Sequence, residues 1–219
     1  MRLFLYVKYF FYIAINWNII IAIYIIIQEI KGEKLYGIDT SGIDKLDIDN
    51  LANGKHATLY MPAIYSVLDV VFKEIKTFQI KHLLDIGSGK GRVLCVAAAK
   101  GCKKVSGIDF SKDLCISALN NLSIIQKSYP TLEAKIVCSD AFTYFIPDDV
   151  DCIFFFNPFD EYLMKGVLNK IQYSLINHPR KLKIIYANPI YKSLFIDNEF
   201  IETFHFRRLK YVEVSILEN

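Results

Sequence analysis

The sequence predicts an α/β chain with a mostly parallel sheet, closed by an antiparallel hairpin strand and preceded by an apolar helical segment. Three observations carry this. Short apolar runs alternate with helical stretches from Leu83 onward, a glycine-rich turn joins the first run to its helix, and two β-rich runs end the chain with little more than Leu209 and Lys210 between them. The 219 residues suffice for one α/β domain with an appendage, whereas two domains would be cramped.

The appendage comes first. Residues 9–27 carry no charge and are dominated by Phe, Tyr, Ile and Ala, with Asn16 and Asn18 the strongly polar interruptions. A single apolar helix is expected within residues 1–31, long enough to approach the span of a bilayer. Arg2 and Lys8 on one side weakly favour a cytoplasmic N-terminus, which would export the rest of the chain. The competing expectation keeps the following domain in the cytoplasm, with the helix packed on protein or laid on a membrane surface as an anchor. No small-x-small site follows the apolar run, which argues against a cleaved signal peptide. Residues 32–58 shift to Gly, Asp, Lys and Ser and read as linker or structured loop. Asp39, Asp44, Asp47 and Asp49 fall there without the alternating ligands and terminal Glu of a calcium loop.

The third unit, 59–219, begins with a helix over 63–78, in which Ile64, Val67, Leu68, Val71 and Ile75 form one stripe. A buried strand over 82–86 leads through the turn Gly87 to Gly91 into a helix over 92–100 that stops at Gly101. A second strand covers 104–110, and Ser111 caps the helix running toward Ser128. Strands follow at 134–139, 151–156 and 182–187, with a helix over 161–176 between the last two. Helical connections of this length imply right-handed crossovers and a sheet covered on both faces. The closing runs are 200–208 and 211–217.

Composition narrows the function. Twenty-six basic and twenty-three acidic residues are mixed along the chain, and without a basic stripe a nucleic-acid partner is disfavoured. The tight basic clusters, Arg207-Arg208-Lys210 and Lys100-Lys103-Lys104, read as solvated surface. Five cysteines without a paired spacing and four isolated histidines support neither a metal site nor a disulfide framework, so a reducing compartment is expected.

The chemistry concentrates at strand ends. In Leu83-Leu84-Asp85-Ile86-Gly87-Ser88-Gly89-Lys90-Gly91-Arg92, alternating glycines let the backbone turn tightly and bring a ligand against bare peptide groups at a helix N-terminus. A dinucleotide fingerprint would require glycine where Arg92 stands. Asp109 closes the second strand about twenty residues further on, where a carboxylate can accept both hydrogens of a ribose diol, with Phe110 adjoining the same site. Asp140 and Ala141 follow the third strand, suited to an adenine amino group and ring nitrogen. Asn157-Pro158-Phe159-Asp160 follows the fourth. There Asn157 is expected to align a target through its amide oxygen, and Asp160 serves either as a base or as the cap of the next helix.

These residues resemble the class I S-adenosylmethionine-dependent methyltransferases. Asp85, Gly87, Gly89 and Gly91 match the family's first motif, which cradles the methionine part; Asp109 matches its ribose acid, Asp140 the acid beside adenine, and Asn157-Pro158-Phe159 the motif that shapes the acceptor site. The resemblance implies a Rossmann-like seven-stranded sheet with a reversed final strand, S-adenosyl-L-methionine as cofactor, and Tyr60 as a lid over it. Asn157-Pro158-Phe159-Asp160 is also similar to the Asn-Pro-Pro-Tyr motif of amino-group methyltransferases but departs at its last two positions, so a planar nitrogen acceptor is not implied. The acceptor stays unassigned among a protein amino group, a small metabolite and a lipid or glycan precursor, and so does the oligomeric state. Two alternatives stand beside this reading: another nucleotide-cofactor α/β enzyme, and a non-catalytic, membrane-linked interaction module. Methyl transfer itself asks mainly for alignment and desolvation, because the sulfonium is already activated.

Overall fold

The computed structural model describes residues 2–43, 60–156, 159–209 and 212–219. The N-terminal apolar stretch forms two helices, α1 (Arg2–Asn16) and α2 (Ile19–Tyr36), folded against each other. The break comes from Asn18, whose side chain accepts the Ile21 N–H at 2.8 Å and so starts a new helix. Gly37, at φ 70°, ends it by returning its N–H to the Glu33 carbonyl. The expectation of one apolar helix able to span a membrane is therefore corrected. Among the described residues no helix is long and apolar enough to cross a membrane. The expected loop from residue 32 likewise begins with the last turn of α2, and Ile38, Thr40 and Ser41 beyond it are buried.

The second half of α2 is held by charge. Glu29 and Glu33 are buried one turn apart, facing Arg92 at the start of α4 (Arg92–Ala99). The Arg92 guanidinium donates to both Glu29 oxygens, at 2.6 and 2.5 Å, and to the Ala63 carbonyl at 2.9 Å, while its Nε donates to Thr40 Oγ1 at 2.8 Å. Thr40 gives its N–H and hydroxyl to Glu33 Oε1, and Ser41 gives its hydroxyl to Glu29. The guanidinium also lies over the Tyr65 ring, 4.2 Å from its centroid. Tyr65 in turn packs on Gly32, where a β-carbon would fall 2.3 Å from the ring, so only glycine lets α2 lie this close.

Helix α3 (Tyr65–Glu74) buries Val67, Leu68 and Val71 of the expected stripe, and a 3-10 turn (Thr77–Gln79) leads into the sheet. Strands β1 (Leu83–Ile86), β2 (Lys104–Asp109), β3 (Glu133–Cys138), β4 (Cys152–Phe156), β5 (Lys183–Ala187), β6 (Ile201–Leu209) and β7 (Val212–Glu218) form one sheet in the order β3-β2-β1-β4-β5-β7-β6. The first five are parallel, and β7 enters antiparallel between β5 and β6, as the terminal hairpin predicts. Helices α5 (Lys112–Ser128) and α6 (Glu161–Asn177) supply crossovers, and a short α7 (Lys192–Ile196) that the periodicity did not predict follows β5.

Alternation along the strands divides the core. Leu83, Phe154 and Ile185 face one cluster with α2, α3 and α4, while Leu84, Ile153, Phe155 and Ile184 face the other with α6. The register pairs Asp85 with Phe154, so both project toward the side that carries α2. The five cysteines are free, and no group of metal-binding residues occurs among the described residues.

Removing Arg92 would leave two carboxylates buried without their cation. Arg92→Met is expected to cost about 3–5 kcal/mol of unfolding free energy. Adding Glu29→Met should produce a coupling of about 0.5–3 kcal/mol in a double-mutant cycle read by urea denaturation. Strict additivity would mean the ion pair is not what ties α2 to α4.

Candidate active site

The strand order reverses between β1 and β4, and a crevice opens there at the carboxyl ends of the strands. The first turn on this edge, Gly87 to Gly91, holds glycines at φ 82°, 52° and 79° for Gly87, Gly89 and Gly91, values that strain any other residue. The turn is strapped to β2: Gly87 and Ser88 both donate their N–H to the Ile108 carbonyl at 2.9 Å, and Gly89 donates to Asp109 Oδ2 at 2.8 Å. Asp109 Oδ1 accepts the Ser111 N–H at 2.9 Å, while Ser111 caps α5. Asp109 thus shapes the turn, yet each carboxylate oxygen keeps a further lone pair for a ligand hydroxyl.

A cleft of about 280 Å³, measured out to open solvent, lies over β1 and β4. Its floor is Asp85, Gly87 and Ser88, one wall is Phe154 and Phe156, and the opposite wall is Tyr60 to Ala63 with Arg92 and Val93. Because that volume includes open solvent, the enclosed space is well below the roughly 300–1,000 Å³ of ligand pockets, and Tyr60 over the glycine turn contributes to the tightness. A β-carbon on Gly89 would fall 2.2 Å from the Tyr60 ring, whose hydroxyl donates to the Thr40 carbonyl at 2.7 Å. Lys90 Nζ stands 5.1 Å from the centroid of the same ring and donates to the Ser41 carbonyl. The segment that supports Tyr60 is therefore the one that binds Arg92.

Electrostatically the floor is poised for a cation. Burial pushes the Asp85 carboxyl well above the usual carboxylate range, and the neighbouring Asp109 adds to the effect. Its carboxylate has no hydrogen-bond partner among the described residues. Asp109 is also pushed up by burial, but backbone N–H groups of Ser111, Gly89 and Phe110 act against the rise. Ser88 Oγ beside them is buried without a partner.

The other expected residues lie along neighbouring strand ends. Asp140 follows β3, where Ser139 donates its N–H to the Asp109 carbonyl; Asp140 Oδ1 accepts the Phe142 N–H at 2.8 Å, and Ala141 packs on the core beside α6. Phe110 follows Asp109 directly, and its carbonyl accepts the Cys138 thiol. Asn157 and Pro158 lie outside the described residues. Of the two roles expected for Asp160, the cap is observed, with Oδ1 accepting the Leu163 N–H at 3.1 Å. Sequence reasoning missed Arg92, Val93 and Phe154 as part of this region. The pair Glu29 and Glu33 in an otherwise apolar helix was the available signal that a buried cation would be needed.

Residues 84–171 match the family profile of a methyltransferase domain. No curated protein matches the chain in sequence. Among solved structures, the chain is similar to a Pyrococcus horikoshii protein described as a candidate RNA methyltransferase, with 14% identity, 87% of this chain and 97% of that one covered, and a TM-score of 0.56. Magnesium protoporphyrin IX methyltransferase from Synechocystis PCC 6803, solved with S-adenosylmethionine bound, gives 16% identity, 70% and 76% coverage and a TM-score of 0.50. An O-methyltransferase segment of StiE gives 16% identity and a TM-score of 0.51 over 64% of this chain, which spans only 53% of that one. The profile match over residues 84–171, the strand order with its reversed β7 and the glycine turn support an S-adenosylmethionine-dependent methyltransferase domain of the class I fold within this chain.

Proposed function

We propose that the acceptor reaches the methyl group through the opening between residues 60–63 and the Phe154–Phe156 edge. The observation that carries this is the buried, unpartnered Asp85 carboxylate facing the same cleft as Phe154 and Phe156. S-adenosyl-L-methionine supplies a methyl carbon already activated on a sulfonium. On this reading Asp85 holds the cofactor's ammonium, directly or through water, and the backbone of Gly87, Gly89 and Gly91 accommodates its amino-acid end. Asp109 accepts the ribose hydroxyls beside Phe110, and Asp140 with Ala141 meets the adenine. Tyr60 covers the glycine turn as a lid, and the two phenylalanines exclude water from the methyl path.

Among the described residues the cleft walls contain no histidine, lysine or cysteine. Asp85 is reserved for the cofactor and Arg92 is ion-paired, so among the described residues no lining group is placed to remove a proton. This favours an acceptor whose nucleophile is already unprotonated near neutral pH, such as a weakly basic amine on a protein or small metabolite. Asn157, next in sequence after β4, aligns that acceptor, and Asp160 fixes the start of α6 beside it.

Calorimetry of the full chain with S-adenosylmethionine and S-adenosylhomocysteine tests the site directly, and absence of binding to the folded protein would refute it. Binding an ammonium favours ionised Asp85 and lowers its raised pKa. Below that raised value complex formation then releases a proton, and affinity climbs with pH until it levels off above it. Asp85→Asn should weaken binding about 10- to 150-fold and flatten this pH dependence. An unchanged pH profile in the variant would assign the proton to another group.

Gly89→Ala forces a β-carbon into the Tyr60 ring at a left-handed position. Cofactor affinity is expected to fall at least about tenfold with the fold intact by circular dichroism. Part of the loss should return when Tyr60→Ala is added; no recovery would remove Tyr60 from its place over the turn. Asn157→Ala should lower the rate of methyl transfer, about tenfold or more, with cofactor affinity held. Equal losses in both would make Asn157 a cofactor-site residue instead.

A further inference from the structure

The inward faces of α1 and α2 bury Tyr9, Ile13, Ile21 and Ile25, yet their outward faces are also apolar. Phe4, Phe11 and Ile15 on α1, and Ile20, Ile23 and Ile27 on α2, recur at helical spacing and are exposed, up to 80% for Ile15. A contiguous apolar surface of this kind, roughly several hundred Å², marks a binding face.

Charge selects the occupant. Both acidic residues of the pair, Glu29 and Glu33, point inward to Arg92, whereas Lys8, Lys31 and Lys34 are exposed. Arg208 at the end of β6 joins them, its guanidinium lying over the Tyr24 ring of α2 at 5.3 Å. The result is an apolar face whose exposed charges on both helices are basic. A second copy of the chain would bring these cations against themselves, whereas an anionic surface complements them.

We propose that the outer face of the α1–α2 pair docks on an anionic membrane surface, lying in the headgroup region without crossing it. The apolar side chains enter the boundary of the acyl chains, and Lys8, Lys31 and Lys34 meet the phosphates. This assigns a location to the enzyme and does not depend on which acceptor it methylates.

The test is co-sedimentation of the full chain with vesicles of phosphatidylcholine alone or equimolar phosphatidylcholine and phosphatidylglycerol. Binding to the anionic vesicles, weakened by salt, is expected. Phe11→Ser with Ile23→Ser should reduce partition about tenfold or more. Lys8→Gln, Lys31→Gln and Lys34→Gln together should reduce it about a hundredfold. All positions are exposed, so unchanged S-adenosylhomocysteine affinity, measured by calorimetry, verifies that the variants fold. No binding to anionic vesicles, binding indifferent to both sets of substitutions, or a dimer in light scattering that Phe11→Ser with Ile23→Ser dissolves would each overturn the proposal.

Discussion

The ion pair between Glu29 and Arg92 is the constraint on which the arrangement of the site depends. Arg92 is the first residue of α4, where the helix dipole already presents positive charge, so a cation there is unfavourable by itself. Two inward carboxylates reverse that balance, and burial, which alone would lower the Arg92 pKa, is outweighed by Glu29 in keeping it charged. Because Arg92 directly follows Gly91, anchoring the guanidinium also anchors the end of the glycine turn. Thr40 and Tyr60 join the same network, which extends it from α2 to the cleft. Helix α2 in this sense buttresses the wall of the cleft that Tyr60 to Ala63 form with Arg92.

The sheet supplies the other half of the design. Strand ends β3, β2, β1 and β4 lie side by side, so residues far apart in sequence form one row: Asp140, Asp109, Asp85 and the Phe154–Phe156 edge. Burial raises the carboxyls of both Asp85 and Asp109, and the nearby Asp109 raises Asp85 further, so the two differ. Asp109 is stabilised by backbone donors and keeps the turn in place, while Asp85 has nothing comparable. A cationic ligand therefore gains most at Asp85, where its charge substitutes for water that burial has removed.

Much of this was legible in the sequence because it rests on local patterns. The strand-turn-helix around Gly87 to Gly91, the cap at Ser111, the stripe of α3 and the terminal hairpin each follow from periodicity or backbone preference, and strand ends moved by only a residue, although α3 stops four residues before its expected end. What escaped were features decided at long range. Glu29 meets Arg92 across 63 positions, a pairing that no window of sequence contains. Asp160 was ambiguous because a cap and a base look alike in sequence, and the Leu163 N–H on one of its oxygens shows the cap. The break at Asn18 was visible as a polar interruption, but its weight against the nine apolar residues that follow it depended on α1 having something to fold against.

That last misreading has a physical reason. Hydropathy counts apolar residues without asking which way they face, and a helix apolar all round reads as membrane-spanning whether its two sides meet lipid or protein. In α2 the inner side meets α1, α3 and α4, and its buried charges are tolerable only because a protein partner neutralises them. A bilayer core offers no such guanidinium, so the position of Glu29 and Glu33 ties this face to the domain. The outer side carries no comparable requirement: its isoleucines are free of acidic neighbours and its lysines point to solvent. One apolar sequence thus answers two different surroundings, and the charges, sorted by face, tell them apart.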